Sequence, residues 1–385
     1  MAYKLKAIQR VPKPRVAIYG LTTEGYQLAA EVADRAELTI VDETLQMALD
    51  INPAFIRKNP DLEELMSQEP LLSFKPLEHV LSESDVVFFT PKLRRPSEES
   101  LVEAGTKLRE LSRYLSGGVS LVNALPTGPG GNSENIMLVE KQTGLKVGDT
   151  LGYSYIPLKP GYSKPATVSN AGSKAEQALA ALGFAQNSQN IFSAEMEYAS
   201  SVLEDAIGAV TQIELAKRAR EVRVSLRTER EVFIHDFAKY LYDLKAIQAS
   251  EETGESISYL AGAAVKSLEN FIRYVVDETR ELLKEKDLKA SRTKISLLWN
   301  LDRYEMRADR LQMAESIQQR LRDYVTDVEI VRSPRLRGSD VLDSLKHNVV
   351  IACSKLDYEA LKQVQRGHRD AETTVLLATP TLRRE

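Results

Sequence analysis

The chain of 385 residues predicts an α/β protein: an N-terminal Rossmann-type doubly wound parallel sheet, a long central helical segment, and a smaller C-terminal Rossmann-like α/β domain. Three observations carry this. Between residues 15 and 190, short apolar runs alternate with amphipathic stretches, as parallel strands alternate with crossover helices. Between 193 and 290, proline and glycine nearly vanish and apolar residues recur at helical spacing. From 293 to 385 the alternation returns. Residues 1–14 form an N-terminal tail.

The first domain contributes the strand candidates RVAIYG, ELTIVD, DVVFFT, VSLVNA and TLGYSYIP. Glu24 to Arg35 and Ser97 to Leu115 read as helices, and the Gly- and Pro-rich PTGPGGNSEN reads as a loop. In the central segment Met196, Ala199, Val202, Leu203, Ala206, Val210 and Ile213 mark one buried face, so a single helix is expected from Ala194 past Arg227. Gly254 marks a break before a second helix, SISYLAGAAVKSLENFIRYVVDETRELLKE. In the last domain KISLLW, DVEIV, NVVIAC and TVLLAT are strands. Arg307 to Tyr324, Ser339 to His347 and Asp357 to Gln365 are the helices between them.

Composition narrows the function. The chain is 43% hydrophobic and 28% charged, with 51 basic and 55 acidic residues and a net charge of −4. That balance gives no basic excess to make nucleic acid the main partner. One cysteine, Cys353, excludes an internal disulfide and a multi-cysteine metal site. The four histidines are dispersed and form no ligand pattern. MAYKLKAIQRVPKPR lacks the apolar core of a secretory signal. No run approaches the roughly 20 apolar residues of a spanning helix. A cytoplasmic location without membrane attachment is the expectation.

The most informative stretch is RVAIYGLTTEGYQLAAEVADRAELTIVDE. It has the strand, glycine turn, helix and strand of a dinucleotide-binding unit, but the fingerprint Gly-x-Gly-x-x-Gly reads Gly20-Leu21-Thr22-Thr23-Glu24-Gly25. In that fingerprint the first glycine makes the turn, the second admits the pyrophosphate, and the third lets helix and strand pack. Gly20 and Gly25 keep the outer two tasks. Thr22 puts a branched side chain where a phosphate would approach; a shifted turn would relieve the clash, or its hydroxyl would donate to the phosphate. Asp42, 22 positions after Gly20, suits an acid that binds a ribose hydroxyl and disfavours a 2′-phosphate. NAD is therefore a possible cofactor, and a Rossmann domain that has kept its fold and lost its ligand is the alternative.

Taken in order, several stretches resemble the UDP-glucose/GDP-mannose dehydrogenase family over almost the full chain. VAIYGLTTEGYQLAAEVADR is similar to its first strand, turn and helix, NPDLEEL to a segment ending in a Glu-Glu-Leu helix start, and SDVVFFTP to its fourth strand. LVNALPTGPG is similar to a Ser-Thr-Val-Pro-x-Gly-Thr strand end, with Pro126 and Gly128 kept. AEMEYASSVLEDAIGAVTQIELAK is similar to the start of a central dimerising helix, and ISLLWNLDRYEMRADRLQMAESIQQRL to the start of the C-terminal nucleotide-sugar domain. The resemblance implies a homodimer through the central segment. It implies cofactor contacts from Gly20, Thr22, Gly25, Asp42, Thr90, Pro91 and Ala124. It implies nucleotide-sugar contacts from Arg310, Arg335 and Arg337.

The same resemblance shows departures where the chemistry lies. The family oxidises an alcohol to a carboxylate through a cysteine thioester, yet SEETGESISYLAGAAVKSLENF contains no cysteine and Cys353 is in a strand of the last domain. The lysine expected two residues after Ala-Glu-Met is Tyr198, a neutral donor in place of a fixed charge. A glutamate active in water activation is Leu158, a cofactor-contacting threonine is Ala124, and an asparagine on the lysine's helix face is Val202. Without the thiol there is no covalent step, and without the lysine an electrostatic contribution is lost. The expectation is a pseudoenzyme that retains at most nucleotide or partner binding. One alternative is a divergent NAD-dependent oxidoreductase acting on a nucleotide sugar. A second is a scaffold or nucleic-acid-associated protein using KRAREVRVSLRTERE, whose plainer reading is a solvated helix face with paired Glu and Arg. PKLRRP and RSPRLRGSD are small basic loops, and Trp299 is placed to crowd a nucleotide pocket.

Overall fold

The computed structural model describes residues 13–51, 53–67, 74–95, 99–158, 169–171, 173–184, 190–224, 232–332, 336–367 and 372–384. In the first domain the strands are β1 (Arg15–Tyr19), β2 (Glu37–Asp42), β3 (Met47–Ile51), β4 (Phe74–Pro76), β5 (Val86–Phe89), β6 (Ser120–Asn123), β7 (Gly152–Tyr155) and β8 (Ser169–Ala171). They form one sheet in the order β4-β3-β2-β1-β5-β6-β7-β8. The inner five strands are parallel, and the pairings at the two edges, β2 with β3, β3 with β4 and β7 with β8, are antiparallel. The helices are α1 (Thr23–Val32), α2 (Pro53–Lys58), α3 (Leu62–Ser67), α4 (Leu77–Glu83), α5 (Glu99–Ser112), α6 (Gly131–Thr143) and α7 (Ser173–Ala181). The central parallel strands are continuous apolar runs because both faces are covered. All four residues of β5 are buried, as are four of the five in β1.

The central segment comprises α8 (Ile191–Glu221), α9 (Ile234–Ala238), α10 (Leu241–Ala249) and α11 (Glu255–Glu285). Asn190 caps α8 by accepting from the Ser193 N–H at 2.7 Å. Gly254, with φ of +80°, supplies the left-handed turn before α11. The apolar faces of α8, α10 and α11 share a core with the last domain, in which Phe237 and Phe271 meet edge to face at 5.2 Å. Glu278, 3% exposed, is held by Arg220 of α8 and by Arg384 near the chain's end, the latter through Nε at 2.8 Å.

The last domain is a wholly parallel sheet of β9 (Thr293–Leu298), β10 (Asp327–Val331), β11 (His347–Ala352) and β12 (Thr373–Leu377) in the order β10-β9-β11-β12. Its helices are α12 (Asp309–Leu321), α13 (Gly338–Val341) and α14 (Lys355–Gly367). Among the described residues no helix is long and apolar enough to cross a membrane.

Four sequence expectations need correction. The Gly-rich PTGPGGNSEN is a loop only to Gly130, because the Glu195 carboxylate accepts the N–H groups of Gly130 and Asn132 and starts α6 at Gly131. The long helix ends at Glu221, with Val222 closing on the Arg218 carbonyl; residues 225–231, including Arg227, lie outside the described residues. The helix expected over Ser339 to His347 is the four-residue α13, since Asp343 turns to accept the Leu345 N–H. The three antiparallel edge strands and the short α9 and α10 escaped the sequence pattern.

Gly20 couples fold and site. Its φ is +124°, and a Cβ there would be 1.9 Å from the Thr90 carbonyl oxygen. Left-handed strain and a backbone clash at a buried turn add up, so Gly20→Ala is expected to destabilise the protein by about 3–5 kcal/mol, read from the shift in urea midpoint.

Candidate functional site

In an open doubly wound sheet a ligand lies outside the carboxyl ends of the strands where the order reverses. Here that point is between β1 and β5, and it brings together Gly20, Thr22, Gly25, Thr90 and Pro91. The Gly25 position is also close, though less so than Gly20: a Cβ on it would be 2.7 Å from the Thr90 hydroxyl. Thr22 is fully buried and acts as the N-cap of α1, its hydroxyl accepting from Gly25 N–H at 3.1 Å and donating to the Thr90 carbonyl at 3.3 Å. The threonine that replaces the middle glycine therefore spends its hydroxyl on the protein's own backbone, as Thr commonly does at this position.

The first N–H groups of a helix attract anions because they lack partners within the helix. In α1 two of them, those of Thr23 and Gly25, are already taken. Thr23 N–H donates to the Tyr304 carbonyl at 2.8 Å, Gly25 N–H to Thr22 Oγ1, and Tyr26 N–H to the Thr22 carbonyl at 2.8 Å. Tyr304 belongs to the loop that joins β9 to α12, and this loop is fastened along the cleft. Thr23 Oγ1 donates to Asp302 at 2.5 Å, and Glu24 accepts Met306 N–H at 2.8 Å. Leu93 N–H donates to the Met306 carbonyl at 2.8 Å, and the Arg94 guanidinium donates to the carbonyls of Arg303 and Glu305 at 2.8 and 2.9 Å. Met306 is fully buried in the core of the first domain, and Lys92 stands over the Tyr304 ring at 5.1 Å.

The remaining predicted positions are similarly engaged. Asp42 accepts the N–H groups of Thr44 and Leu45 at 2.9 and 3.2 Å, an Asx turn that fixes the β2–β3 hairpin. Glu43 is buried and accepts Lys92 N–H at 2.7 Å and the Lys107 ammonium at 3.0 Å. Ala124 and Leu158 are fully buried and bonded to each other, Leu158 N–H to Ala124 carbonyl at 3.0 Å; Lys159, Pro160 and Gly161 lie outside the described residues. At the start of α1, where a pyrophosphate would be expected, the Thr23 N–H is held by the Tyr304 carbonyl.

Tyr198 is buried at the junction of the three segments. Its hydroxyl donates to Asp243 Oδ2 at 3.1 Å, while Asp243 Oδ1 accepts from Arg307. Burial and the Asp243 charge push the phenol well above its usual range, so it is a neutral donor. Arg307 is 3% exposed and lies over the Tyr242 ring, with Nε and Nη2 lacking a partner. The sequence singles out Tyr198 but gives no sign of its partners Asp243 and Arg307, nor of the roles of Glu24, Tyr304 and Met306. The Thr22 cap was the one signal available, as a threonine directly before a helical run.

The second sheet reverses order between β9 and β11, and that point is also filled. Ile234 N–H donates to the Ala378 carbonyl at 2.8 Å and His235 N–H to the Cys353 carbonyl at 3.1 Å, which seats α9 on the strand ends. Trp299 is fully buried and its Nε1–H donates to His235 Nδ1 at 3.1 Å. Burial, aided by Arg310 and Lys239, lowers the His235 pKa to about 3, leaving a neutral ring that accepts. Arg310 pairs with Glu305 and donates through Nε to the His235 carbonyl at 3.2 Å. Arg337 is exposed at the start of α13, and Arg335 lies outside the described residues. Cys353 is fully buried, its thiol pushed up by burial. Among the described residues no group of His, Cys, Asp and Glu could hold a metal ion.

No protein-family model and no curated protein sequence matches the chain. Solved structures do match it along nearly their whole length. A UDP-D-ManNAc dehydrogenase from Pyrococcus horikoshii is 17% identical, with 96% of each chain covered and a TM-score of 0.59. A UDP-glucose dehydrogenase from the hyperthermophilic archaeon Pyrobaculum islandicum is 14% identical, covering 97% of this chain and 96% of that one at a TM-score of 0.60. An NDP-N-acetyl-D-galactosaminuronic acid dehydrogenase from Methanosarcina mazei Go1 is 14% identical over 96% of each chain, at a TM-score of 0.50. The chain has the two-domain fold of nucleotide-sugar dehydrogenases.

Two buried carboxyls beside the fastened loop, Glu24 of α1 and Asp309 at the start of α12, link stability to pH. Burial first, and then Glu305, raises Glu24 from 4.5 to about 7, against the Met306 N–H and Arg307, which lower it. Burial first, with Asp243 adding, raises Asp309 from 3.8 to about 7 against Arg307. Both bind protons more tightly folded than unfolded. Their contribution is therefore complete below the unfolded values and is lost as pH rises through about 7. The melting temperature is expected to fall from pH 5 to pH 8 with a steeper slope in the wild type than in the Glu24→Gln/Asp309→Asn variant, as read by calorimetry.

Proposed function

We propose that this chain is a noncatalytic protein built on the nucleotide-sugar dehydrogenase fold, a pseudoenzyme that acts as a partner-binding scaffold rather than as an NAD-dependent oxidoreductase. One observation carries the reading: the Tyr304 carbonyl occupies the Thr23 N–H at the start of α1, with Met306 buried beside it in the core of the first domain. The replacement of the expected cysteine, lysine and glutamate supports the same conclusion, because neither a nucleophile nor a fixed positive charge remains at the family's chemical positions. The relatives of this fold are named as dehydrogenases of UDP- and NDP-sugars.

The central helices carry apolar side chains outward, among them Leu215 on α8 and Leu260 on α11, with Val222 just past the end of α8. Their exposure supports a homodimer through this segment. Sedimentation equilibrium is expected to give twice the 43.0 kDa chain mass, and a monomer at micromolar concentration would remove this part of the proposal.

A second reading has one observation in its favour. Glu24 holds the loop and titrates near neutrality, so raised pH weakens the closure and would uncover a cofactor site. Calorimetric titration with NAD at pH 7 and pH 9, followed by UDP-glucose and GDP-mannose, separates the two. No heat at either pH, and no NADH absorbance on mixing, is expected for a scaffold. Micromolar NAD binding at pH 7 overturns the proposal, and binding confined to pH 9 selects the gated oxidoreductase.

A further inference from the structure

Away from both strand-end crevices, the structure has a groove of about 410 Å³ where α10, α11 and α12 come together. Its chemistry follows from three helical stripes. On α11, Lys266, Asn270 and Arg273 are spaced by four and then three residues and so share one face. On α12, Met313, Ser316 and Arg320 do the same, and on α10 Leu241 and Lys245 are four apart. All of these line the groove, with Leu241, Ile272 and Met313 as its apolar part.

The charges do not cancel. Lys245, 7% exposed at its side chain, places its ammonium 3.2 Å from Glu269, which is the one acidic residue in the lining. Lys266, Arg273 and Arg320 are exposed, so the described lining holds four cations against the single carboxylate of Glu269. An excess of positive charge around one groove favours a bound anion. The two guanidinium forks offer paired N–H donors suited to phosphate oxygens, and Asn270 and Ser316 add neutral donors between them. The volume is in the range of small-molecule sites, and the chain as a whole carries a net charge of −4, which opposes an extended polyanion.

We propose that this groove binds a small organic phosphate, with the phosphate on Arg273, Arg320 and Lys266 and the organic part against Leu241, Ile272 and Met313. The site is independent of whether the β1–β5 cleft takes NAD, because none of these residues lines that cleft.

The experiment is calorimetric titration of the full chain with inorganic pyrophosphate, with ADP and, as a control anion, with benzoate. Saturable binding of pyrophosphate is expected, tighter for ADP because of its base, and weakened by raising salt from 50 to 500 mM. Arg273 and Arg320 are exposed, so Arg273→Gln and Arg320→Gln should fold as the wild type does, checked by circular dichroism and melting. Each is expected to weaken pyrophosphate binding about tenfold, the loss of one charge-assisted contact. Absence of binding to millimolar pyrophosphate overturns the proposal. So does binding that survives the double variant, or benzoate binding as tightly as pyrophosphate.

Discussion

The unpaired N–H groups at the start of α1 are the feature around which the rest of this molecule is arranged. A helix that begins at the carboxyl end of a buried parallel strand leaves donors aimed into the crevice above the sheet, and water, a ligand or the protein must satisfy them. Here the protein does so twice over: Thr22 turns its hydroxyl onto Gly25 N–H, and Tyr304 brings its carbonyl to Thr23 N–H. The second contact spans 304 − 23 = 281 positions of sequence, so the polar end of one helix becomes a fastening point between the first and last domains. Burial of Met306 and the Arg94 clamp on two carbonyls then make the loop part of the first domain's wall.

The same device recurs at the second sheet. There α9 sits on the strand ends, with Ile234 and His235 donating to the carbonyls of Ala378 and Cys353. Trp299, which fills the space beneath, finds its polar partner in the neutral ring of His235. Arg310 links the two closures, holding Glu305 of the loop and the carbonyl of His235 together. At both crevices, among the described residues, backbone polar groups are thus held by another segment of the same chain. Internal satisfaction of this kind commits these N–H groups to the protein's own carbonyls.

The junction beneath these closures is polar and buried. Tyr198, Asp243 and Arg307 form a chain of donor and acceptor across three segments. Asp243 needs the arginine to remain charged in such surroundings, and a lone buried charge would be strongly unfavourable. Glu24 and Asp309 lie in the same electrostatic neighbourhood, each raised by burial and lowered by Arg307.

The sequence by itself determined the α/β class, the strands of both parallel sheets and the α11 helix, because apolar periodicity and the glycine turn are local signals. Gly20 and Gly25 were legible for the same reason: a strand-to-helix turn needs them whether or not a ligand is present. Helix ends and the antiparallel edge strands were not. α6 starts where Glu195, 64 positions after Gly131, accepts its first N–H groups, and α13 stops where Asp343 turns the chain. Tertiary structure alone decided the state of the candidate site. Thr22, Asp42 and Arg310 are each compatible with ligand contacts as residue types, and each is instead committed to a protein partner. Which partner a donor finds depends on distant segments arriving at 3 Å, and no local pattern in the chain encodes that arrival.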